Sequence, residues 1–314
     1  MESRPLIFDC DPGQDDAISL IMALSPKSGL DIRAITVVAG NTTLAKCQRN
    51  ARMIAQICGR ADVPIYAGCE APLNYPLATA EEVHGIEGLS GIEIFEPTIE
   101  LQSEHAVDAI IRLCRNTENI TLVPTGPLTN IATAFTRAPD IIPRISEIVL
   151  MGGARAEAGN ITPSAEFNIY VDPQAAQIVF SAKVKKIVLS LDVTHKALIR
   201  DADVAEIEAL GTKTSQILTG MLRSDYADYD RAKFGTAGTP IHDACTTAYL
   251  LRPEIFTFKT VSVSVETKSA LTRGHTSVDV WSQTQNRRDT RWAIDVDKGA
   301  FFDLMVAQIA AYKD

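Results

Sequence analysis

Short apolar runs of strand length alternate along the chain with longer segments whose apolar residues recur at helical spacing, the pattern of a parallel sheet flanked by helices. The first unit predicts a strand at Leu6-Ile7-Phe8, a polar loop from Asp9 and an apolar helix through Ala17 to Leu24. The second predicts a strand from Ile32 to Val38, a Gly40-Asn41 turn and a helix from Leu44 to Cys58. Further strands are expected at Ile65-Tyr66-Ala67, at Ile120 to Val123 before Pro124-Thr125-Gly126, at Ile148 to Met151 before Gly152-Gly153, and at Lys186 to Leu191. A helix is expected from Glu104 to Leu113 and another after Gly126. Beyond these, Asp201 to Asp230 reads as helical, Thr257 to Val296 holds three short β-branched runs, and Gly299 to Tyr312 reads as a last helix. The fold class expected is α/β: an open, mostly parallel sheet flanked by helices, with additional C-terminal helices and short strands around it. No Pro/Ser-rich linker, charge block or fixed-period repeat divides the chain, so residues 1–314 are expected to form a single domain. In such a sheet ligands bind in the crevice beyond the carboxyl ends of the strands, which here carry Asp-Cys-Asp, Gly-Asn, Pro-Thr-Gly, Met-Gly-Gly and Asp-Val-Thr.

Composition narrows the class. Among 314 residues 46% are hydrophobic and 22% charged, values of an ordinary folded protein that exclude disordered and fibrous classes. The 30 basic and 39 acidic side chains leave a net charge of −9, which argues against a nucleic-acid partner held by its phosphates. The first five residues lack the apolar run of a signal peptide and no uninterrupted apolar stretch is long enough to span a bilayer, so a cytoplasmic protein with no membrane partner is expected. Cys10, Cys47, Cys58, Cys69, Cys114 and Cys245 show no C-x-x-C spacing and are expected as reduced thiols, not as disulfides or zinc ligands.

The densest chemistry is Asp9-Cys10-Asp11-Pro12-Gly13-Gln14-Asp15-Asp16, in which four carboxylates crowd directly behind a strand. A Pro12-Gly13 turn with Asp15 capping the next helix accounts for one or two of them. The set as a whole is self-repulsive unless a positive charge sits among it, and Asp oxygens suit a hard divalent cation such as Ca²⁺ or Mg²⁺. Further oxygen ligands are expected from other strand ends. Candidates are Asp243, which otherwise serves as an N-terminal helix residue with His242 in the loop before it, and a backbone carbonyl of the Pro124-Thr125-Gly126 turn. Asn160 and Glu166-Phe167-Asn168, after the Met151-Gly152-Gly153 turn, could grip a polyhydroxylated ligand or stand as a solvated loop. His84-Gly85 opens a glycine-rich stretch in a long loop, either a mobile lid or an exposed surface with a histidine on it.

Together these residues resemble the nucleoside hydrolases, in particular the inosine-uridine-preferring ribonucleoside hydrolases. The resemblance rests on Asp-x-Asp-Pro-Gly-x-Asp-Asp at residues 9–16 and continues through Val38-Ala39-Gly40-Asn41, His84-Gly85, Leu122 to Asn130, Val149 to Gly153, Ala165 to Ile169 and His242-Asp243. It implies cleavage of the N-glycosidic bond of ribonucleosides (inosine, uridine, cytidine class) by water, giving free base and ribose, on an open, mostly parallel sheet with bound Ca²⁺. By the same resemblance Asp11, Asp16, Asp243 and the Thr125 carbonyl hold the metal, and Asp11 is also the base that deprotonates its water. Asp15, Asn41, Asn160, Glu166 and Asn168 bind ribose hydroxyls, and Met151 and Phe167 line the site. His84 and His242 face the base, with His242 as its general acid. The resemblance further implies a homotetramer or homodimer. These residue types suit the reaction. An oxocarbenium-like transition state needs an activated water on the face opposite the leaving base, and sugar contacts that strengthen as charge develops accelerate it.

The sequence departs from the common family pattern in two places. The His-Gly loop continues Ile86-Glu87 where many members place Glu directly after His-Gly. Before His242, where members often carry tyrosines that recognise the base, Tyr226 and Tyr229 are present, while Asp230 and Phe234 occupy the positions expected to face the base. His242 itself points to the inosine-uridine or pyrimidine group over purine-specific members. Two rival readings are a haloacid-dehalogenase-like phosphatase with Asp9 as nucleophile, against which Pro12-Gly13 and the Asp15-Asp16 pair argue, and a non-catalytic nucleoside- or sugar-binding protein.

Overall fold

The computed structural model describes residues 4–313, with the side chains of Asp225, Tyr226, Asp228, Asp230 and Phe234 outside the description. The first half of the chain runs β1 (Pro5–Cys10), α1 (Gln14–Leu24), β2 (Asp31–Val37), α2 (Leu44–Ile57), β3 (Ile65–Ala67), α3 (Glu81–His84), α4 (Ala106–Asn116), β4 (Ile120–Pro124), α5 (Thr129–Arg137) and β5 (Ile145–Met151). It continues with α6 (Phe167–Val171), α7 (Pro173–Ser181), β6 (Lys185–Leu189), α8 (Leu191–Thr194), β7 (Leu198–Ile199), α9 (Asp201–Glu208), α10 (Lys213–Leu222) and α11 (Asp225–Phe234). The last part is β8 (Thr239–Pro240), α12 (Ala244–Leu251), β9 (Phe256–Val265), β10 (Thr276–Asp279), β11 (Thr290–Val296) and α13 (Lys298–Ile309).

Nine strands form one sheet in the order β10-β9-β11-β6-β5-β4-β1-β2-β3. Neighbours from β3 across to β11 pair in parallel, and β9 runs antiparallel to both its partners. The chain winds outward from β1 through β2 to β3 and then returns to the other side at β4. The switch point therefore lies between β1 and β4, where a crevice opens at the carboxyl ends of the strands.

Period-two alternation assigns the faces. On β1, Leu6, Phe8 and Cys10 enter the apolar core that contains α1, α2, α12 and α13, while Ile7 enters the opposite core built on α4, α5 and α7. Every residue of α1 is buried, so this helix reads as an apolar run without a polar stripe. It is fastened to α12 by Ser19, whose hydroxyl lies 2.8 Å from that of Thr247 and donates to the Asp243 carbonyl at 3.0 Å.

Four local expectations change. The Asp201 to Asp230 stretch is three helices, broken at Gly211 (φ +71°), after which the Thr212 hydroxyl caps α10 by accepting Ser215 N–H at 3.1 Å. Strand β6 ends at Leu189, two residues before the expected Leu191, which instead opens the short helix Leu191–Thr194. The Glu166-Phe167-Asn168 stretch is the start of a helix, not an irregular loop. The β-branched runs after Thr257 extend the main sheet, with β11 parallel to β6, where additions around the sheet were expected. The six cysteines are free thiols.

Candidate active site

The turn between β1 and α1 carries the acidic run. Asp16, not Asp15, closes the start of the helix: its carboxylate accepts Gly13 N–H at 3.0 Å, three residues back, as a capping residue at that spacing does. Asp16 also accepts the Thr125 hydroxyl at 2.6 Å from the end of β4 and the Asn41 amide at 3.1 Å from the end of β2. Asp11 accepts Asn41 N–H at 2.7 Å through Oδ2, while its Oδ1 is buried without a hydrogen-bond partner. Gly40 and Gly126 make room for this carboxylate, since a Cβ on either would fall 2.0 or 2.4 Å from an Asp11 oxygen. Asp243, at the N-cap position of α12, likewise keeps Oδ1 buried without a hydrogen-bond partner. Asp9, still inside β1 on the side of Ile7, accepts Thr36 Oγ1 at 2.7 Å and Asn130 Nδ2 at 2.8 Å; burial pushes its carboxyl up to about 7. Asp9 does not line the cleft, so the nucleophile required by a dehalogenase-like phosphatase is misplaced.

Asp15, Asp16 and Asp243 bring carboxylate oxygens within 4.8 Å of one another, and all three are buried. Asp11 stands outside that trio but acts on it through charge. Burial first, and then the neighbouring carboxylates, push Asp11 and Asp243 well above the usual carboxylate range; burial also raises Asp16. This donor set, all hard oxygen with two buried oxygens lacking a hydrogen-bond partner, fits a divalent cation, which would offset both the desolvation and the mutual repulsion. The Thr125 carbonyl, the fourth expected ligand, already accepts the Asn168 amide at 2.7 Å.

Beside the carboxylates opens a cleft with roughly 670 Å³ of empty space counting its open mouth. Asp15, Asn41, His84, Met151, Asn160, Glu166, Phe167, Asn168 and His242 all line it, with Thr125 and Asp243 at its floor. Asn168 ties the floor together, its amide donating to the carbonyls of Thr125 and Met151 (3.3 Å). Glu166 faces the cleft, but both its oxygens are engaged by backbone: Asn168 N–H at 2.8 Å, Gly153 N–H at 2.9 Å and Ile169 N–H at 3.2 Å. Burial raises its carboxyl and these donors draw it back, so its first task is to clamp the Gly152-Gly153 turn to α6. Asn160 similarly uses its side-chain oxygen to accept Phe167 N–H at 2.8 Å.

His84 is buried, not an exposed surface residue. Its Nδ1 lies 2.6 Å from the Gln14 side-chain oxygen, which brings α3 over the start of α1. Nδ1 of His242 lies 2.7 Å from the Thr194 hydroxyl. Sequence reasoning missed Thr79, Ala80, Glu82, Val83 and Ile161, which complete the walls, and it named Tyr229 without placing it. The Tyr229 hydroxyl donates to Glu82 at 3.3 Å and accepts Lys233 Nζ at 2.7 Å. Gln14, one of the variable positions of the acidic motif, carried no signal of its own. The side chains of Asp230, Phe234 and Tyr226 lie outside the described residues. Among the described residues no helix is long and apolar enough to cross a membrane.

The family model described as inosine-uridine preferring nucleoside hydrolase matches residues 6–303. The chain is 44% identical over 311 residues to the pyrimidine-specific ribonucleoside hydrolase RihA of Photobacterium profundum, covering 99% of this chain and 100% of that one. Among solved structures it resembles a purine-preferring ribonucleoside hydrolase from Gardnerella vaginalis (TM-score 0.90, 30% identity, 98% of each chain). It also resembles the plant nucleoside hydrolase PpNRh1 (TM-score 0.90, 29% identity, 98% of this chain and 99% of that one). With the acidic motif, the sheet order and the cleft in agreement, the chain belongs to the inosine-uridine preferring nucleoside hydrolase family and is an enzyme, a ribonucleoside hydrolase.

Proposed function

We propose that the enzyme hydrolyses pyrimidine ribonucleosides, uridine and cytidine, to free base and ribose, with inosine a poorer substrate. The observation that carries this reading is one cleft lined by Asp15, by Asp243, which keeps a buried Oδ1 without a hydrogen-bond partner, and by two histidines held by their own partners, with Asp16 in the same trio of carboxylates. The 44% identity to a pyrimidine-specific ribonucleoside hydrolase, RihA of Photobacterium profundum, supports the pyrimidine preference.

In this reading Asp11, Asp16 and Asp243, with the Thr125 carbonyl, hold a Ca²⁺ ion. When bound, such an ion supplies positive charge that lowers the pKa of a water and steadies sugar hydroxyls. The remaining work belongs to the chain. Asp11 takes the proton of the attacking water, a role suited to a buried carboxylate that keeps one oxygen without a hydrogen-bond partner. Asp15, Asn41 and Asn168 bind the ribose hydroxyls, with Asn160 and Glu166 shaping that wall, while Met151 and Phe167 exclude water. His84 and His242 face the base, and His242 donates a proton to the leaving nitrogen or its conjugate oxygen. Asp230 and Phe234, whose side chains lie outside the described residues, are assigned to the base by the resemblance alone. The active form is a homo-oligomer, tetramer or dimer, in the cytoplasm.

A ribonucleoside panel scored for free base tests the reading. Uridine and cytidine should exceed inosine by at least about tenfold in kcat/KM, the discrimination that pocket shape alone affords. Inosine turned over faster than uridine would reverse the base preference, and no release of base from any ribonucleoside would leave a binding protein.

A further inference from the structure

We propose that Arg273, on the loop between β9 and β10 at the edge of the sheet, is a positioning residue that joins the two apolar walls of the substrate cleft. The proposal rests on the hydrolase reading of that cleft. The guanidinium carbon of Arg273 lies 3.5 Å from the centroid of the Tyr75 ring and 4.2 Å from that of Tyr170, and Nη2 donates to the Val171 carbonyl at 3.2 Å. Among the described residues no carboxylate pairs with Arg273. A planar, weakly hydrated cation between two aromatic faces is held by stacking and by the ring quadrupoles, a geometry open to arginine and not to lysine.

The two tyrosines belong to different walls. Tyr75 stands on the segment that runs on to Thr79, Ala80 and Val83 in the cleft, and Tyr170 stands on α6, which carries Phe167 and Asn168. In front of the sandwich the two segments meet: Ala80, Phe167 and Val171 pack as one small apolar cluster with Leu77 and Ile161 against it. This cluster is separate from the two main cores, and Arg273 backs it beside one further link between the segments, the Leu73 N–H that donates to the Asp172 carboxylate at 2.8 Å. The rest of its loop grips the α6 side alone. Gly274 (φ +76°) presses on the Tyr170 backbone, where a Cβ would fall 2.7 Å from the Tyr170 Cα. His275 Nδ1 lies 3.1 Å from the Ser164 carbonyl, and the Thr276 hydroxyl donates to the Ala154 carbonyl at 2.7 Å and accepts Ala154 N–H at 3.0 Å. From this loop Arg273 reaches across to the wall of Tyr75.

Arg273 touches neither Asp11, Asp243 nor His242, so its loss loosens the grip on substrate and spares the chemistry. The test compares kcat and KM for uridine in the wild type, Arg273→Met, Arg273→Lys, Tyr75→Leu and the Arg273→Met/Tyr75→Leu double variant. Arg273→Met should raise KM about tenfold with kcat within about twofold, and Arg273→Lys should recover only part of the loss. Because the two residues form one unit, the double variant should be no worse than the poorer single. Unchanged KM in Arg273→Met, effects of Arg273 and Tyr75 that multiply, or kcat falling in step with KM and with melting temperature would each overturn the proposal. If Arg273→Met does not fold, Tyr75→Leu decides alone, and an unchanged KM there defeats it. Amide hydrogen exchange separates this failure from failure of the hydrolase reading. Faster exchange confined to residues 73–84 and 160–171 in either variant supports the joint whatever the enzyme turns over, and unchanged exchange there counts against it.

Discussion

The Thr194 hydroxyl lies 2.7 Å from Nδ1 of His242, so the short helix after β6 reaches the residue that precedes α12 and holds its ring. In the imidazolium that a general acid requires both ring nitrogens carry protons, so Nδ1 donates to the Thr194 hydroxyl and that bond orients the ring. His242→Ala should therefore cost about 10²–10⁴ in kcat on uridine, the usual range for such catalysis, and Thr194→Val a smaller part of that loss. A nitrophenyl riboside, whose leaving group departs without a proton, should be nearly indifferent to both. If His242 only positions Asp243, the losses on the two substrates will be equal.

On the proposed mechanism Asp11 is both base and metal ligand, so Asp11→Ala should lower turnover of uridine and of the nitrophenyl riboside alike. The same site predicts that dialysis against a chelator abolishes activity and lowers the melting temperature, and that added Ca²⁺ restores both. An ion at a hundred times its Kd adds about 2.7 kcal/mol of stability. Full activity in protein shown by elemental analysis to be metal-free would remove the cation from the mechanism.

Sugar specificity tests Asp15 and Asn168. Both are buried at the cleft, where a missing 2′-hydroxyl leaves polar groups without their partner. Discrimination against 2′-deoxyuridine should approach about 10⁴-fold in kcat/KM. Comparable rates on uridine and deoxyuridine would show that the ribose hydroxyl is not gripped there.

Far from the cleft, Lys186 is fully buried on β6, with Nζ 2.9 Å from Asp289 and 2.8 Å from the Ala182 carbonyl. Removing one partner of such a pair strands a charge, so Asp289→Ala should cost about 3–5 kcal/mol, while Lys186→Met should be close to neutral. Burial holds the Lys186 ammonium below its ordinary 10.5 against the upward pull of Asp289. Between those two values the unfolded chain binds more protons than the folded one, so stability rises with pH across that window, and it should cease to do so in Lys186→Met. Chemical denaturation of the variants at neutral and alkaline pH checks both points.

Much of this protein was legible before any tertiary contact was known. Strand and helix periods are local, so the β1–α1 unit, the β2 turn at Gly40-Asn41 and the last helix stand where residue patterning puts them, and the acidic motif is contiguous enough to announce its own chemistry. Asp9 is kept from the cleft by its place inside β1, where Thr36 of β2 and Asn130 of α5 engage it, while Asp11 lies past the end of the strand. What residue order could not assign was the division of labour among similar groups. That Asp16 and not Asp15 caps α1 depends on a rotamer set by Thr125 and Asn41, which arrive from β4 and β2. That Glu166 spends both oxygens on backbone donors depends on the Gly152-Gly153 turn lying against α6. Thr79, Ala80, Val83 and Ile161 are ordinary loop residues with no chemical signature, and they become cleft walls only because two distant segments pack together. The sequence by itself determined which elements form and which residue types could carry the reaction, since both are properties of neighbours along the chain; partners, burial and proton affinity were decided by the tertiary structure, since each depends on groups brought together from far apart.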